Sequence, residues 1–282
     1  MGIKIINTQR VLSPTQITLA DYAINPYRGC EFGCIYCYVQ ENKNIKFNTG
    51  CLGIKINAPY ILEKELRYKA PRRIVLGSST ECFQYKEIQY RITERILNLL
   101  NSQNIPYTIL TKSHLIKNYL PLISANKKNK IYFTLNFHSD ELIKAFEEKS
   151  PLIKHRLLTL RKIREYTIPL RIHIGPFIPY VSNLIKIVSL VSDITDEINV
   201  ELYHHRMGNF PKILEVTEKI FGKTTRNQLF SVYESEDNYL KFAKNIQEKI
   251  SNLQGKIPVK FFFIIPDFGD YYNSRIDYHE SD

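Results

Sequence analysis

The chain has 282 residues, 44% hydrophobic and 24% charged, with Lys+Arg 39 against Asp+Glu 28 and a formal net charge of +11. This is the composition of an ordinary globular protein, long enough for one barrel-type domain or two smaller ones with a well-buried core. No apolar run approaches the roughly 20 residues that span a bilayer, and the opening stretch MGIKIINTQR has no signal-peptide segment; a cytoplasmic protein with reduced cysteines is expected.

The positive charge is compatible with a polyanionic partner such as nucleic acid. The lysines are scattered, however, and the run Asn126 to Lys130 reads as a solvated loop.

Residues 1–20 read as an entry segment with a β-prone patch at Ile3 to Ile6, and Ala20 to Ile24 as the first strand. The next stretch, NPYRGCEFGCIYCYVQE, places Cys30, Cys34 and Cys37 in a C-x3-C-x2-C spacing, with Gly29 and Gly33 among them. Thiolates are soft ligands for zinc, copper(I) or iron–sulfur clusters. A cubic cluster takes one thiolate per iron, so three cysteines on a short loop would hold three irons and leave the fourth open. A structural zinc site wants four ligands in paired spacings, and a partner C-x-x-C or His pair is missing, although three-ligand catalytic zinc stays open. A disulfide fits poorly with five cysteines and no secretion signal.

Residues 42–60 are polar and read as a connecting loop, in which Cys51 is either an auxiliary ligand or a spare thiol. Beyond them strands and helices alternate, the pattern of parallel β/α architecture. Strands are predicted at Arg73 to Leu76, Tyr107 to Thr111, Lys130 to Phe137, Pro169 to Ile174 and Ile198 to Tyr203. Helical spacing connects Ile88, Ile92, Ile96 and Leu99, then Leu157, Leu160 and Ile163, then more weakly residues 183–193.

Side chains alternate faces along a strand. Three successive strands carry one polar face each: Tyr132, Thr134 and Asn136; Arg171 and His173; Asn199, Glu201 and Tyr203. A parallel strand buried on both sides is normally apolar on both, so these faces predict a barrel lumen holding a polar ligand. An antiparallel sheet with a wet face is the other reading. After residue 205, helical periodicity at Leu240 to Leu253 and an apolar run Val259 to Ile265 predict one helix and one strand. The aromatic and acidic tail at 267–273 is either surface packing or a substrate lid, and His204, His205 and Arg206 fall at the rim where barrels place active-site groups.

The cysteine stretch resembles the signature of the radical S-adenosylmethionine (radical SAM) superfamily, with Tyr36 in the aromatic slot before the last cysteine. Further along, GSSTECFQ at Gly77 to Gln84, Thr111-Lys112-Ser113, Phe133-Thr134-Leu135-Asn136, Glu147 with Pro151 and Arg156-Leu157, and Gly175-Pro176-Phe177-Ile178-Pro179 are similar to runs of the spore photoproduct lyase, or DNA-repair-photolyase-like, family. The likeness covers about residues 22–183 in register with the strands and helices.

This resemblance implies a 4Fe–4S cluster on Cys30, Cys34 and Cys37, binding of S-adenosylmethionine, and reductive cleavage of it to a radical that abstracts a substrate hydrogen. It places Tyr36 near the adenine, Thr80 near the methionine amino group, Lys112 at the carboxylate and Thr134 at the ribose or carboxylate, with Asn136 a further cofactor-binding residue. It puts Tyr38 near substrate. The lyase carries a thiol hydrogen donor where this chain has Ser78 and Ser79; Cys82 is the nearby candidate for that role. An external electron donor of flavodoxin or ferredoxin type is implied.

The expected fold is α/β, a partial (β/α)6 TIM-type barrel over residues 1–205 with a C-terminal α+β extension over 206–282 packed on it. Arg171, His173, Glu201 and Tyr203 are the expected substrate-facing residues, and the substrate is either nucleic acid or a small polar molecule or peptide. A metal-containing nucleic-acid-binding module without radical chemistry is the alternative.

Overall fold

Strands and helices alternate along a computed structural model that describes residues 2–41, 51–206, 209–253 and 257–263. In chain order come β1 (Gly2–Ile6), β2 (Ser13–Pro14), β3 (Tyr22–Ile24), β4 (Tyr27–Arg28), α1 (Tyr38–Glu41), β5 (Cys51–Lys55), α2 (Ala58–Leu66), β6 (Ile74–Leu76), α3 (Glu87–Tyr90), α4 (Ile92–Ser102) and β7 (Tyr107–Thr111). A 3-10 helix at His114–Tyr119 leads to α5 (Leu120–Ser124), β8 (Lys130–Thr134), α6 (Asp140–Phe146), α7 (Ile153–Glu165), β9 (Leu170–Phe177), α8 (Leu184–Val191), β10 (Glu197–Leu202), α9 (Phe210–Val232), α10 (Glu236–Ser251) and β11 (Val259–Phe262). Hydrogen-bonded strands of the larger sheet follow the order β11-β10-β9-β8-β7-β6-β3-β2. Two compact units result: Met1–Gly33 with Phe47–Phe133 and Lys149–Arg171, and Cys34–Lys46 with Thr134–Glu148 and Ile172–Asp282.

In the first unit β3, β6, β7 and β8 pair in parallel, with Ile24, Leu76 and Ile109 in register and fully buried. Helices follow these strands because parallel neighbours need a crossover connection. A second, three-stranded sheet has β5 at its centre, parallel to β1 and antiparallel to β4. This corrects the later part of the loop expected over residues 42–60, of which 42–50 lie outside the described residues: Leu52 and Ile54 point inward from β5, and α2 begins at Ala58.

The predicted helix through Ile88 and Leu99 is two helices. Arg91 takes a left-handed φ of 51° between them, and the Glu87 carboxylate accepts from the Thr93 and Glu94 N–H groups, capping α4. Consequently Ile88 is exposed while Ile92, Ile96, Leu97 and Leu100 are buried, each worth roughly 1.5–3 kcal/mol.

In the second unit β10 and β11 pair in parallel, and the end of β9 pairs with the residue after β10 through the Tyr203 N–H and the Phe177 carbonyl. Ser139, Asn183 and Ser235 cap α6, α8 and α10 with their side-chain oxygens. The sequence reading had no element at 210–232. Helix α9 there is interrupted at Gly222 (φ 84°), and its buried stripe of Ile213, Leu214, Thr217, Leu229 and Val232 is too sparse to show as a period. The predicted last strand stops at Phe262, and Ile264, Ile265 and the tail at 267–273 lie outside the described residues. No helix among the described residues is long and apolar enough to cross a membrane.

Candidate radical SAM site

The segment bearing the cysteines turns twice through conformations that favour glycine, at Gly29 (φ 89°) and Gly33 (φ 64°). Cys34 is buried and Cys30 and Cys37 are half-buried, none of the five cysteines being in a disulfide. The Cys37 N–H donates to the Cys34 carbonyl at 3.2 Å, and Cys34 forms an antiparallel bridge with Glu147. Among the described residues no group of three His, Cys, Asp or Glu side chains is gathered for a single metal ion. Three thiols from one short segment, with no carboxylate or imidazole to complete a mononuclear site, fit an iron–sulfur cluster, in which each thiolate holds its own iron.

In the first unit the Gly77–Gln84 run after β6 is pinned from both sides. Asn25 donates to Ser78 Oγ and accepts from the Ser79 N–H at 2.9 Å, and the Thr80 hydroxyl donates to the Gly29 carbonyl at 2.5 Å. Glu81, buried, accepts from Thr111 Oγ1 at 2.7 Å and from the N–H groups of Phe83 and Lys112. It ties this run to the Thr111–Ser113 stretch after β7. Burial outweighs those donors and raises the Glu81 carboxyl above its ordinary range. Cys82 is fully buried beside them; burial, then the neighbouring Glu81 and Glu87, push its thiol well above the usual range, so it stays protonated. Arg171 donates to the Tyr132 hydroxyl with its guanidinium 5.4 Å from that ring's centroid.

In the second unit Tyr36 is buried and its hydroxyl hydrogen-bonds the Glu147 carboxylate. Asn136 Nδ2 donates to the same hydroxyl at 2.8 Å, while Asn136 Oδ1 is buried with no hydrogen-bond partner among the described residues. An orphaned buried acceptor of this kind fits a bound polar cofactor. Thr134, at the end of β8, is 9% exposed. Tyr38 opens α1 just past Cys37, and burial, with the nearby Cys37 and Glu201, pushes its phenol up to about 12.

On β9, His173 and Gly175 share the less buried face. His173 Nε2 stands 3.4 Å from Glu201 Oε2 on β10. Tyr203 falls past the end of β10 and is buried against Phe210 and Tyr233, whose hydroxyl donates to its carbonyl at 2.6 Å. His205 joins that aromatic group, and burial lowers its imidazole to about 4.

A loop of three thiols entering a mainly parallel α/β sheet defines a metallocofactor enzyme of the β/α class. The family model of the radical SAM superfamily matches residues 24–184, and the chain belongs to that superfamily. Its members use a 4Fe–4S cluster and S-adenosylmethionine, and this chain is a partial TIM-type barrel.

Among its relatives, an uncharacterised protein of Methanocaldococcus jannaschii is 26% identical over 225 residues, covering 75% of this chain and 85% of that protein. An uncharacterised protein of Mycobacterium tuberculosis is 28% identical over 173 residues, or 57% of this chain. The chain thus spans about half the length of that mycobacterial relative, 51%. Among solved structures, spore photoproduct lyase complexed with dinucleoside spore photoproduct superposes with a TM-score of 0.62 at 15% identity, covering 92% of this chain and 81% of that one. SuiB of Streptococcus suis bound to S-adenosylmethionine gives 0.54 at 16%, covering 85% and 49%. At these identities the likeness is one of fold.

Four residues of the site escaped the sequence reading of function. Asn25, Glu81 and Glu147 are polar anchors whose partners are distant in the chain, and Gly175 acts by having no side chain. Each lies in a stretch singled out above, but its position there carried no role.

Proposed function

We propose that this protein is a radical SAM enzyme whose cluster sits on Cys30, Cys34 and Cys37 and whose substrate meets the polar strand faces of β9 and β10. A 4Fe–4S cluster held there would supply one-electron reductive cleavage of S-adenosylmethionine, with an external flavodoxin- or ferredoxin-type donor, and so the chemistry for abstracting a substrate hydrogen. The observation that carries the reading is the C-x3-C-x2-C segment with its two left-handed glycines.

This chain's residues have distinct work in binding the cofactor. The Thr80 hydroxyl donates to Gly29 and keeps lone pairs for the methionine ammonium. The ammonium of Lys112 suits the carboxylate, its backbone being held by Glu81. Tyr36 spends its hydroxyl on Glu147 and Asn136, so it meets the adenine through its ring. Thr134 and Asn136 Oδ1 would serve ribose or carboxylate groups. Arg171, His173, Glu201, Tyr203 and Tyr38 are the substrate-side candidates, and Cys82, as a protonated thiol, is the candidate hydrogen donor.

Thymine-dimer repair is disfavoured because Ser78 and Ser79 occupy the place of the lyase's thiol. Residues 206–282 act in this reading as an extension of the barrel. Their grouping in one unit with β10 and most of β9 supports that over an independent domain.

The test is anaerobic reconstitution. It should give about four irons per chain, and dithionite with S-adenosylmethionine should then yield 5′-deoxyadenosine. Uptake of zinc alone, or a reduced cluster that produces no 5′-deoxyadenosine, would sink the reading and leave a non-catalytic metal module.

A further inference from the structure

We propose that Glu201 is the carboxylate that recognises a positively charged nitrogen on the substrate, an ammonium, amidinium or guanidinium group, and that His173 is the positioning residue that aims it. This deepens the radical SAM reading above and rests on it.

Glu201 is unusual for its combination of surroundings. Its side chain is 49% accessible, yet burial is the strongest single influence on its carboxyl. At that exposure a ligand can reach it. The side chain of His173, next to it, is 26% accessible.

The charges around Glu201 do not balance. Its carboxyl is held below the ordinary range, chiefly by the His173 contact against the opposing effect of burial, so it is ionised at neutral pH. Among the described residues its close basic partner is the His173 imidazole, and neither Lys nor Arg forms an ion pair with it. The other groups that feel its charge are Tyr38, Tyr239 and His204, which offer hydrogen bonds and no permanent positive charge. Buried or partly buried carboxylates are normally paired. Glu201, reachable and facing an imidazole at 3.4 Å with neither Lys nor Arg beside it among the described residues, is suited to a cation brought by the ligand.

The backbone is arranged to keep this carboxylate in place. His173 lies where the side chain of any residue but glycine at 175 would stand, since a Cβ there would fall 2.0 Å from its Nε2. The ring therefore lies along the strand face and presents Nε2 to the neighbouring strand. A phosphate placed at Glu201 would meet like charge, which argues against a bare polyanion at this position and for a small molecule or peptide bearing a basic nitrogen.

The experiment uses the full chain, reconstituted and loaded with S-adenosylmethionine under anaerobic, unreduced conditions. Agmatine is titrated calorimetrically against wild type, Glu201→Gln and Glu201→Asp, with thymidine 5′-monophosphate as the anionic comparator. Wild type should bind agmatine at least tenfold more tightly than Glu201→Gln, Glu201→Asp should retain most of that affinity, and the nucleotide should not bind. Equal agmatine affinity in wild type and Glu201→Gln, no agmatine binding, or tighter binding of the nucleotide would each overturn the proposal. Separately, wild type that makes no 5′-deoxyadenosine with dithionite would mean that the underlying enzyme reading has failed, whatever agmatine does.

Discussion

A β-carbon at position 175 would lie 2.0 Å from Nε2 and 2.5 Å from Cε1 of His173. Gly175→Ala is therefore expected to swing the imidazole off Glu201. Because the clash is with the far end of a side chain, the cost is that of a poorer rotamer, about 1 kcal/mol. A structure of the variant would show the ring displaced; a His173–Glu201 distance still near 3.4 Å would contradict this.

Tyr36 and Glu147 are coupled across the buried hydroxyl–carboxylate contact. Glu147→Ala strands the phenol and should cost about 1–3 kcal/mol. With Tyr36→Phe already in place the same change should cost less, a double-mutant cycle giving an interaction of roughly 0.5–3 kcal/mol. Strictly additive unfolding free energies would show that the contact carries no net stability.

Cys34→Ala should abolish iron retention, from about four irons per chain to less than about one after desalting. Cys51→Ala should leave iron content unchanged, since Cys51 starts β5 rather than the cluster segment. Loss of iron in Cys51→Ala would make it an auxiliary ligand instead.

Lys112→Met removes the proposed partner of the methionine carboxylate. Charge-assisted hydrogen bonds of about 1.5–3 kcal/mol translate to a KM for S-adenosylmethionine raised roughly ten- to a hundredfold, with iron content intact. An unchanged KM would place this lysine away from the cofactor.

Glu65 reaches back to the segment before β3, accepting from the Val11 and Leu12 N–H groups at 2.8 Å each and pairing with Lys69 at 3.0 Å. These donors outweigh burial and hold its carboxyl below the ordinary value of 4.5. A depressed folded-state value means stability that is present above pH 4.5 and lost as pH falls through the folded value. Glu65→Gln should thus destabilise the fold by about 1.5–3 kcal/mol at pH 7, and urea midpoints of variant and wild type should converge in acid. A gap that persists at low pH would assign the loss to packing.

Local signals carried much of the fold. Cys30, Cys34 and Cys37 lie close together in the chain, so their joint chemistry needs no long-range information. The strand at Tyr107–Thr111 was legible to the residue, and those at Ile74–Leu76 and Leu170–Phe177 within a few residues, because strand side chains alternate with a fixed period. Likewise the polar identities on β9 and β10 marked the faces that carry His173 and Glu201.

Pairing decided the rest, and pairing is non-local. Tyr36 meets Glu147 across 111 positions of sequence, and no period or composition in either segment encodes that contact. Strand β5 exists because β1 and β4 flank it, which overrides a sequence that read as loop. Tyr203 shares its strand's alternation with Glu201, yet tertiary packing draws it into an aromatic cluster with Phe210 and Tyr233. The sequence by itself determined the three-cysteine spacing and the β/α alternation, which depend on neighbours along the chain. Which carboxylates find which partners, and which glycine makes the room, were settled only when distant segments packed, since burial and hydrogen-bond partners are properties of the folded neighbourhood.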